Sequence, residues 1–147
     1  VSGRLFLGDA GSYGVASLLS FGGLFLVQAG ETSPWLLAAT LSYPCLEMLV
    51  SMGRRALSGK SMFLPDNHHL HNRLHDLLRQ YLRGSGLPNA LTGLAITMVT
   101  SGLSVGLYYF GWLTALDGRW LSVFLTQCFV YGLIYWLLGR RLKVDSV

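Results

Sequence analysis

The 147-residue chain has four histidines, and all of them fall between positions 68 and 75, in the stretch PDNHHLHNRLHD. Clustered imidazoles beside arginines can serve three kinds of chemistry. Leu70, Leu74, Leu77, Leu78 and Leu82 recur at helical spacing, so His68 to about Arg83 suits an amphipathic helix, with Asp66 as its cap. Such a helix could lie on a membrane surface with its histidines and arginines toward headgroups. A zinc site is a second reading, since His71 and His75 are four apart with Asp66 nearby, although no HExxH pattern or neighbouring cysteine accompanies them. The third is a grip on phosphate, in which imidazoles and basic side chains bind and neutralise a diphosphate.

Two acids stand out for their settings. Asp9 lies in FLGDAGS, where Gly8 and Gly11 free the backbone and small neighbours leave the carboxylate unscreened. It could cap a helix or hold a hard cation such as Mg²⁺, which prefers oxygen ligands. Glu47 falls inside an apolar run, where an acid is costly and is by default a functional candidate. Its structural alternative is a pair with Arg54, one helix face along and about 10 Å away. Cys45 and Cys128 sit in apolar runs without metal-type spacing and suit small buried hydrophobes.

The elements that must position these groups follow from composition. The chain is 52% hydrophobic and 12% charged, against roughly 25% charged in soluble domains, which points to a lipid-facing surface. A bilayer core about 30 Å thick takes about 20 apolar helical residues. Four spans are expected, at about 13–28, 34–52, 88–110 and 120–138, with Pro44 kinking the second. The fold class is thus all-α: a polytopic membrane protein in one domain over 1–147, with a histidine-containing loop and amphipathic helix at 53–87.

Nine lysines and arginines occupy that loop and the C-terminal tail, and Arg4 precedes the first span, whereas the opposite loops carry only Arg119. The positive-inside rule puts both termini and the histidines in the cytoplasm, with Trp35, Trp112 and Trp120 at the far interface. Two crossings return the chain to its starting face, so Asp9 and the histidines should emerge on one side. The basic excess belongs to this topology, and nucleic acid is not an expected partner. No signal peptide is visible, and the chain opens on VSGRLFLGDAGS as though cut from something longer.

GDAGS, then one membrane hairpin later RR, a Lys and PDNHHLHNRL, resembles the bacterial polyprenyl-phosphate N-acetylhexosamine-1-phosphate transferases, relatives of the phospho-N-acetylmuramoyl-pentapeptide transferase in glycosyltransferase family 4. The likeness runs from about Gly3 to Leu74. It implies transfer of a sugar-1-phosphate from a UDP-sugar to a membrane polyprenyl phosphate with release of UMP, starting a cell-envelope polysaccharide at the cytoplasmic face of the bacterial inner membrane. By this resemblance Asp9 would coordinate Mg²⁺ (or Mn²⁺), His69 and His71 would be catalytic and bind the diphosphate, and Asn72, Arg54 and Glu47 would contact substrate. A homodimer is compatible with it. The chain departs from the family pattern at Asn72, where many relatives have a third histidine, and at Asn67, where many have arginine. No Asp-Asp pair occurs, although relatives carry one in an earlier cytoplasmic loop. The chain therefore looks like the C-terminal part of such an enzyme, incomplete for turnover alone. Outside the family, a non-enzymatic four-helix membrane protein with an anion- or lipid-binding basic loop is the alternative. A histidine-based metal transporter is a third reading, short of ligands within the spans.

Overall fold

The computed structural model describes residues 8–59, 69–82 and 86–144. Lys60, Asp66, Asn67, His68, Arg83 and the residues before Gly8 lie outside that set, as do the side chains of Asp9 and Arg141. The described residues form helices α1 (Gly8–Gln28), α2 (Pro34–Thr40), α3 (Ser42–Leu57), α4 (Leu70–Tyr81) and α5 (Leu87–Thr97). A π-helical segment (Met98–Gly102) then leads into α6 (Leu103–Tyr109), and α7 (Trp120–Val144) follows. Three helical stretches are long and apolar enough to cross a membrane: Ala10–Gln28, Leu87–Tyr109 and Trp120–Arg140. The bent pair α2–α3 makes a fourth when its two halves are counted as one broken span. The protein is an all-α, multi-pass membrane protein.

The second span departs from the expected single kinked helix over 34–52. It breaks at Leu41, the two halves meet at 73°, and α3 continues to Leu57. The reason lies four residues upstream of Pro44. Proline has no N–H to give the carbonyl of residue 40, and its ring crowds that carbonyl, whereas the first turn of a new helix accepts it readily. The Thr40 hydroxyl also bonds back to the Leu36 carbonyl at 2.8 Å, an arrangement that bends helices. Hydrocarbon offers no water for the freed Thr40 carbonyl. Ser101 provides the donor instead, its hydroxyl 2.8 Å away.

Ser101 belongs to the π segment of the third span. The wide turn there leaves the Thr100 carbonyl to accept from Gln127 Nε2 on α7 at 3.1 Å. Gly102 at its end keeps the turn uncrowded, because a Cβ there would meet the Thr97 carbonyl oxygen at 3.0 Å. The midplane of the bundle is thus joined by side-chain bonds to backbone oxygens, from three spans.

Despite its bend, the α2–α3 pair crosses the bundle. Trp35 lies 6.4 Å from Phe124 near the start of α7, while Arg54 reaches Tyr135 near its other end. Eleven helical residues separate those two landmarks, about 17 Å along the axis. At the first end, Ala39, Leu113 and Trp120 form a buried cluster with Leu36 and Phe124 packed on it. The Ser33 N–H bonds the Ala115 carbonyl at 2.8 Å, and the Trp120 indole donates to the Thr114 carbonyl at 2.8 Å. Of the expected interfacial tryptophans, Trp35, Trp112 and Trp120 all belong to this end.

α1 packs least. Gly23 lets it approach α2, for a Cβ there would meet Leu37 Cδ1 at 2.8 Å. Leu18 and Phe21 are 76% and 75% exposed, the surface hydrocarbon demands. The helix already runs at Gly8, so its regular part starts earlier than position 13, and Asp9 sits within helical backbone. Cys45 is exposed and Cys128 half-buried, both free, so Cys45 is not the buried hydrophobe expected.

Candidate functional site

α4 begins at Leu70, with His69 in extended backbone at the capping position and no side-chain cap from its own strand of sequence. A helix start leaves N–H groups that need acceptors. The acceptor comes from another helix. Glu47, on α3 and only 9% exposed, takes the Leu70 N–H on its two oxygens at 3.0 and 3.2 Å. The same carboxylate takes the His69 Nδ1–H at 3.0 Å. A buried carboxylate is tolerated when hydrogen bonds replace its lost hydration, and here three contacts do so at the positive end of a helix dipole.

His71 stacks on His69, with ring centres 5.4 Å apart and planes within 9°. Its Nδ1 lies 3.1 Å from the Tyr43 hydroxyl. Both imidazoles are therefore fixed through Nδ1, one by α3's acid and one by α3's tyrosine, and among the described residues neither Nε2 has a hydrogen-bond partner. They face a cleft of about 490 Å³ whose walls also include Ser51, Met52 and Arg55. Arg55 and Tyr43 were missed by sequence reasoning. The RR pair drew attention to Arg54, but consecutive helical residues point about 100° apart, and only a known packing direction could have separated them.

Arg54 turns to α7 instead. Its guanidinium donates to the Tyr135 hydroxyl, which also accepts from Arg73 Nη2 at 3.0 Å. The Arg73 guanidinium lies 4.1 Å over the Tyr135 ring, a cation–π contact. Gly139 leaves the space for it, since a Cβ there would sit 2.7 Å from Arg73 Nη1. Among the described residues no ion pair joins Glu47 to Arg54: the Glu47 carboxylate meets His69 and Leu70, with the Tyr43 and Tyr131 hydroxyls also beside it, while Arg54 reaches Tyr135. Asn72 is half-buried on α4 and does not line the cleft. His75 lies 3.6 Å from its neighbour Asp76, away from the stacked pair's partners.

Among the described residues no three His, Cys, Asp or Glu side chains converge as a metal site. The zinc reading of His71 and His75 gains nothing from them, and its third member, Asp66, lies outside the described residues. Magnesium asks for less, because one or two carboxylates with phosphate oxygens and water suffice. The Asp9 side chain, to which the resemblance assigns the metal, lies outside the described residues, and only its helical backbone at the start of α1 is placed.

Arg54 and Arg73 meet at Tyr135, Arg55 lines the cleft and Arg140 lies over Trp136 one residue further along α7, whereas Arg119 stands at the other end of that helix. There it is neutralised locally by Asp117 at 2.7 Å. That guanidinium, with the Arg119 N–H, holds the Asp117 carboxyl below its ordinary range.

Comparison with known proteins gives one consistent match. The decaprenyl-phosphate N-acetylglucosaminephosphotransferase of Mycobacterium leprae (strain TN) is 33% identical over 48% of this chain and 21% of its own length. The protein of the same name from Mycobacterium tuberculosis (strain ATCC 25618 / H37Rv) is 32% identical over the same shares. The chain spans about a fifth of the length of these curated relatives. No family model and no solved structure matches. Over about half of its residues, then, this chain is similar to transferases named for a polyprenyl-phosphate acceptor and an N-acetylglucosamine phosphate, the class that GDAGS and PDNHHLHNRL resemble.

Proposed function

We propose that this chain supplies one side of the active site of a polyprenyl-phosphate sugar-1-phosphate transferase in the bacterial cytoplasmic membrane. The observation that carries the proposal is the stacked His69–His71 pair, anchored through Nδ1 beside Arg55 in a cleft at the cation-rich end of a membrane bundle. Phosphoryl transfer asks a protein chiefly for positioning and charge stabilisation. A site at this level lets a water-soluble UDP-sugar meet the phosphate of a membrane-held polyprenol.

In the reaction a phosphate oxygen of the acceptor attacks the sugar-side phosphorus of the UDP-sugar. The bond from that phosphorus to the bridging oxygen breaks, and UMP leaves with the electron pair. His69 and His71 present Nε2 to the diphosphate, as donors when protonated, and Arg55 adds a permanent charge. Glu47 holds His69 and the start of α4 in place. Asp9 is the carboxylate for Mg²⁺ or Mn²⁺, which would neutralise phosphate charge when bound. Arg54 acts on the architecture around the cleft by tying α3 to α7.

The test uses the full-length protein in membranes with a panel of UDP-sugars and a polyprenyl phosphate, reading UMP-linked formation of lipid product. Asp9→Asn is expected to abolish the reaction and leave membrane insertion intact; unchanged activity removes Asp9 from the mechanism. No lipid product from any UDP-sugar would overturn the proposal in favour of a binding protein without catalysis.

A further inference from the structure

The two stacked imidazoles are held through the same ring nitrogen by partners of opposite hydrogen-bonding character. A neutral imidazole carries its hydrogen on one nitrogen and a lone pair on the other, so the bond at Nδ1 decides what Nε2 can do. Glu47 Oε1 takes the Leu70 N–H at 3.0 Å, so it is an acceptor, and His69 Nδ1, also 3.0 Å away, donates to it. Neutral His69 therefore turns a bare Nε2 lone pair to the cleft.

The Tyr43 hydroxyl differs, because a phenol has a hydrogen to give. Glu47 lies near it, one turn along α3. Its oxygens, however, are taken by Leu70 and His69, and the buried Tyr131 hydroxyl also stands beside them. Among the described residues the hydrogen-bond partner of the Tyr43 hydroxyl is His71 Nδ1, at 3.1 Å. Nδ1 of His71 is then the acceptor, and the ring's own hydrogen sits on Nε2.

The stack supports unequal roles. Ring centres 5.4 Å apart would set two imidazolium charges against each other, with the Arg55 guanidinium a third cation on the cleft wall. From α3 the pair faces Glu47, Tyr43 and Arg55, and α7 brings Tyr131 beside the same carboxylate. On α4 itself, His75 and Arg73 turn to Asp76 and Tyr135. The group able to offset one imidazolium touches His69, whereas His71 meets a neutral hydroxyl.

We propose that Glu47 and Tyr43 set the two histidines in opposite tautomers, so that His71 offers the diphosphate a neutral N–H while His69 takes up and returns a proton. Tyr43 is thus a positioning residue, acting through His71. The proposal rests on the transferase reading and assigns roles within its site. A phosphate monoester loses its second proton at about pH 6, so an acceptor can arrive as the monoanion. It gives its O–H hydrogen to His69 Nε2: the N–H bond forms as the O–H bond breaks, and the electron pair stays on the oxygen that attacks. As UMP leaves, the imidazolium returns that proton to a UMP phosphate oxygen, and none is gained or lost overall.

The experiment uses the full-length protein in membranes. Nitrogen NMR spectra of protein isotopically labelled at histidine separate an N–H nitrogen from a bare one, and His69→Gln and His71→Gln assign the two rings by difference. With the rings neutral, hydrogen on Nε2 of His71 and on Nδ1 of His69 is expected. Tyr43→Phe should release His71 to a mixture of tautomers and leave His69 as it was. Hydrogen on the same nitrogen of both rings, or a His71 tautomer indifferent to Tyr43→Phe, would overturn the proposal.

Turnover against pH is the second readout. Glutamine presents an N–H at a reach similar to Nε2 but takes up no proton. His71→Gln should therefore keep turnover within about threefold, the scale of one altered hydrogen bond, with an unchanged pH profile. His69→Gln should lose about a hundredfold, the lower end of what proton transfer contributes, and flatten the profile. The reverse pattern, or flattened profiles in both variants, would also overturn the proposal. Because the spectra need no turnover, opposite tautomers in a protein without transfer activity would sink the transferase reading and leave the tautomer assignment standing.

Discussion

Two regions of the molecule hold a helix end with a side chain from elsewhere, and they do it with different chemistry. At the cleft, the start of α4 is bound by an acid side chain, Glu47, which also fixes His69. At the bend, the end of α2 is bound by a neutral hydroxyl, Ser101, which gives its hydrogen to the Thr40 carbonyl. The first region has open space beside it and the second is packed against the π segment and α7. A charge near the headgroup level can be screened and can orient other charged groups. In the hydrocarbon a neutral bond satisfies the backbone at the lowest desolvation cost. The difference separates a site built to meet ions from a joint built to keep its shape.

The sharpest way to break this contrast is to remove the acid. Glu47→Ala should destabilise the α3–α4 junction by about 1.5–3 kcal/mol, the range for a hydrogen bond to a charged group. Hydrogen exchange at the Leu70 amide should accelerate, and Glu47→Gln should restore part of the protection. An unchanged Leu70 amide would mean that α4 is held by its apolar face alone.

Next in size are the imidazoles. His69→Ala and His71→Ala should each lower turnover at least tenfold, about 1.4 kcal/mol of transition-state stabilisation, without shifting thermal stability as Glu47→Ala does. His75→Ala should leave turnover nearly unchanged, because its ring faces Asp76. Equal losses at all three positions would point to a general charge effect and away from the stacked pair.

At the bend the effect should be smaller and purely structural. Ser101→Ala should cost about 0.6–1.7 kcal/mol, the scale of interhelical hydrogen bonds in membranes, measured by unfolding in detergent. Pro44→Ala restores an N–H four residues after Thr40 and offers its carbonyl another donor. The double variant should therefore lose less than the two single losses added together; strict additivity would show that Ser101 and Pro44 do not share Thr40.

The smallest effect belongs to the far loop. Asp117 is held below the ordinary carboxylate range by Arg119, so its contribution is present above about pH 3.9 and is lost as pH falls through the depressed value. Arg119→Ala should leave stability at neutral pH almost untouched and move the onset of acid-induced change upward. Tryptophan emission can report it, since Arg119 Nη2 lies 3.3 Å from the Trp112 carbonyl. No shift in the acid limb would show that the pair is idle.

The motifs and three of the apolar spans were legible because each rests on local composition: a bilayer selects apolar length. The amphipathic helix was also legible in outline, though its described extent, Leu70–Tyr81, is shorter than its leucines suggested. Pro44 announced a bend, but its place at Leu41 depended on which turn could absorb the proline and which neighbour could serve Thr40. Arg54 and Arg55 are adjacent in sequence and yet face different partners, a matter of helix rotation that only packing against α7 settles.

By itself, then, the sequence determined that this chain crosses a membrane several times and gathers imidazoles and guanidiniums at one end, since those properties are sums over neighbouring residues. The tertiary structure decided that Glu47 caps α4 and holds His69, that Tyr43 holds His71, and that Ser101 closes the break at Thr40. Those are contacts between residues 22 to 61 positions apart, and a buried donor or acceptor takes whichever partner the folded chain brings within about 3 Å, which no local pattern encodes.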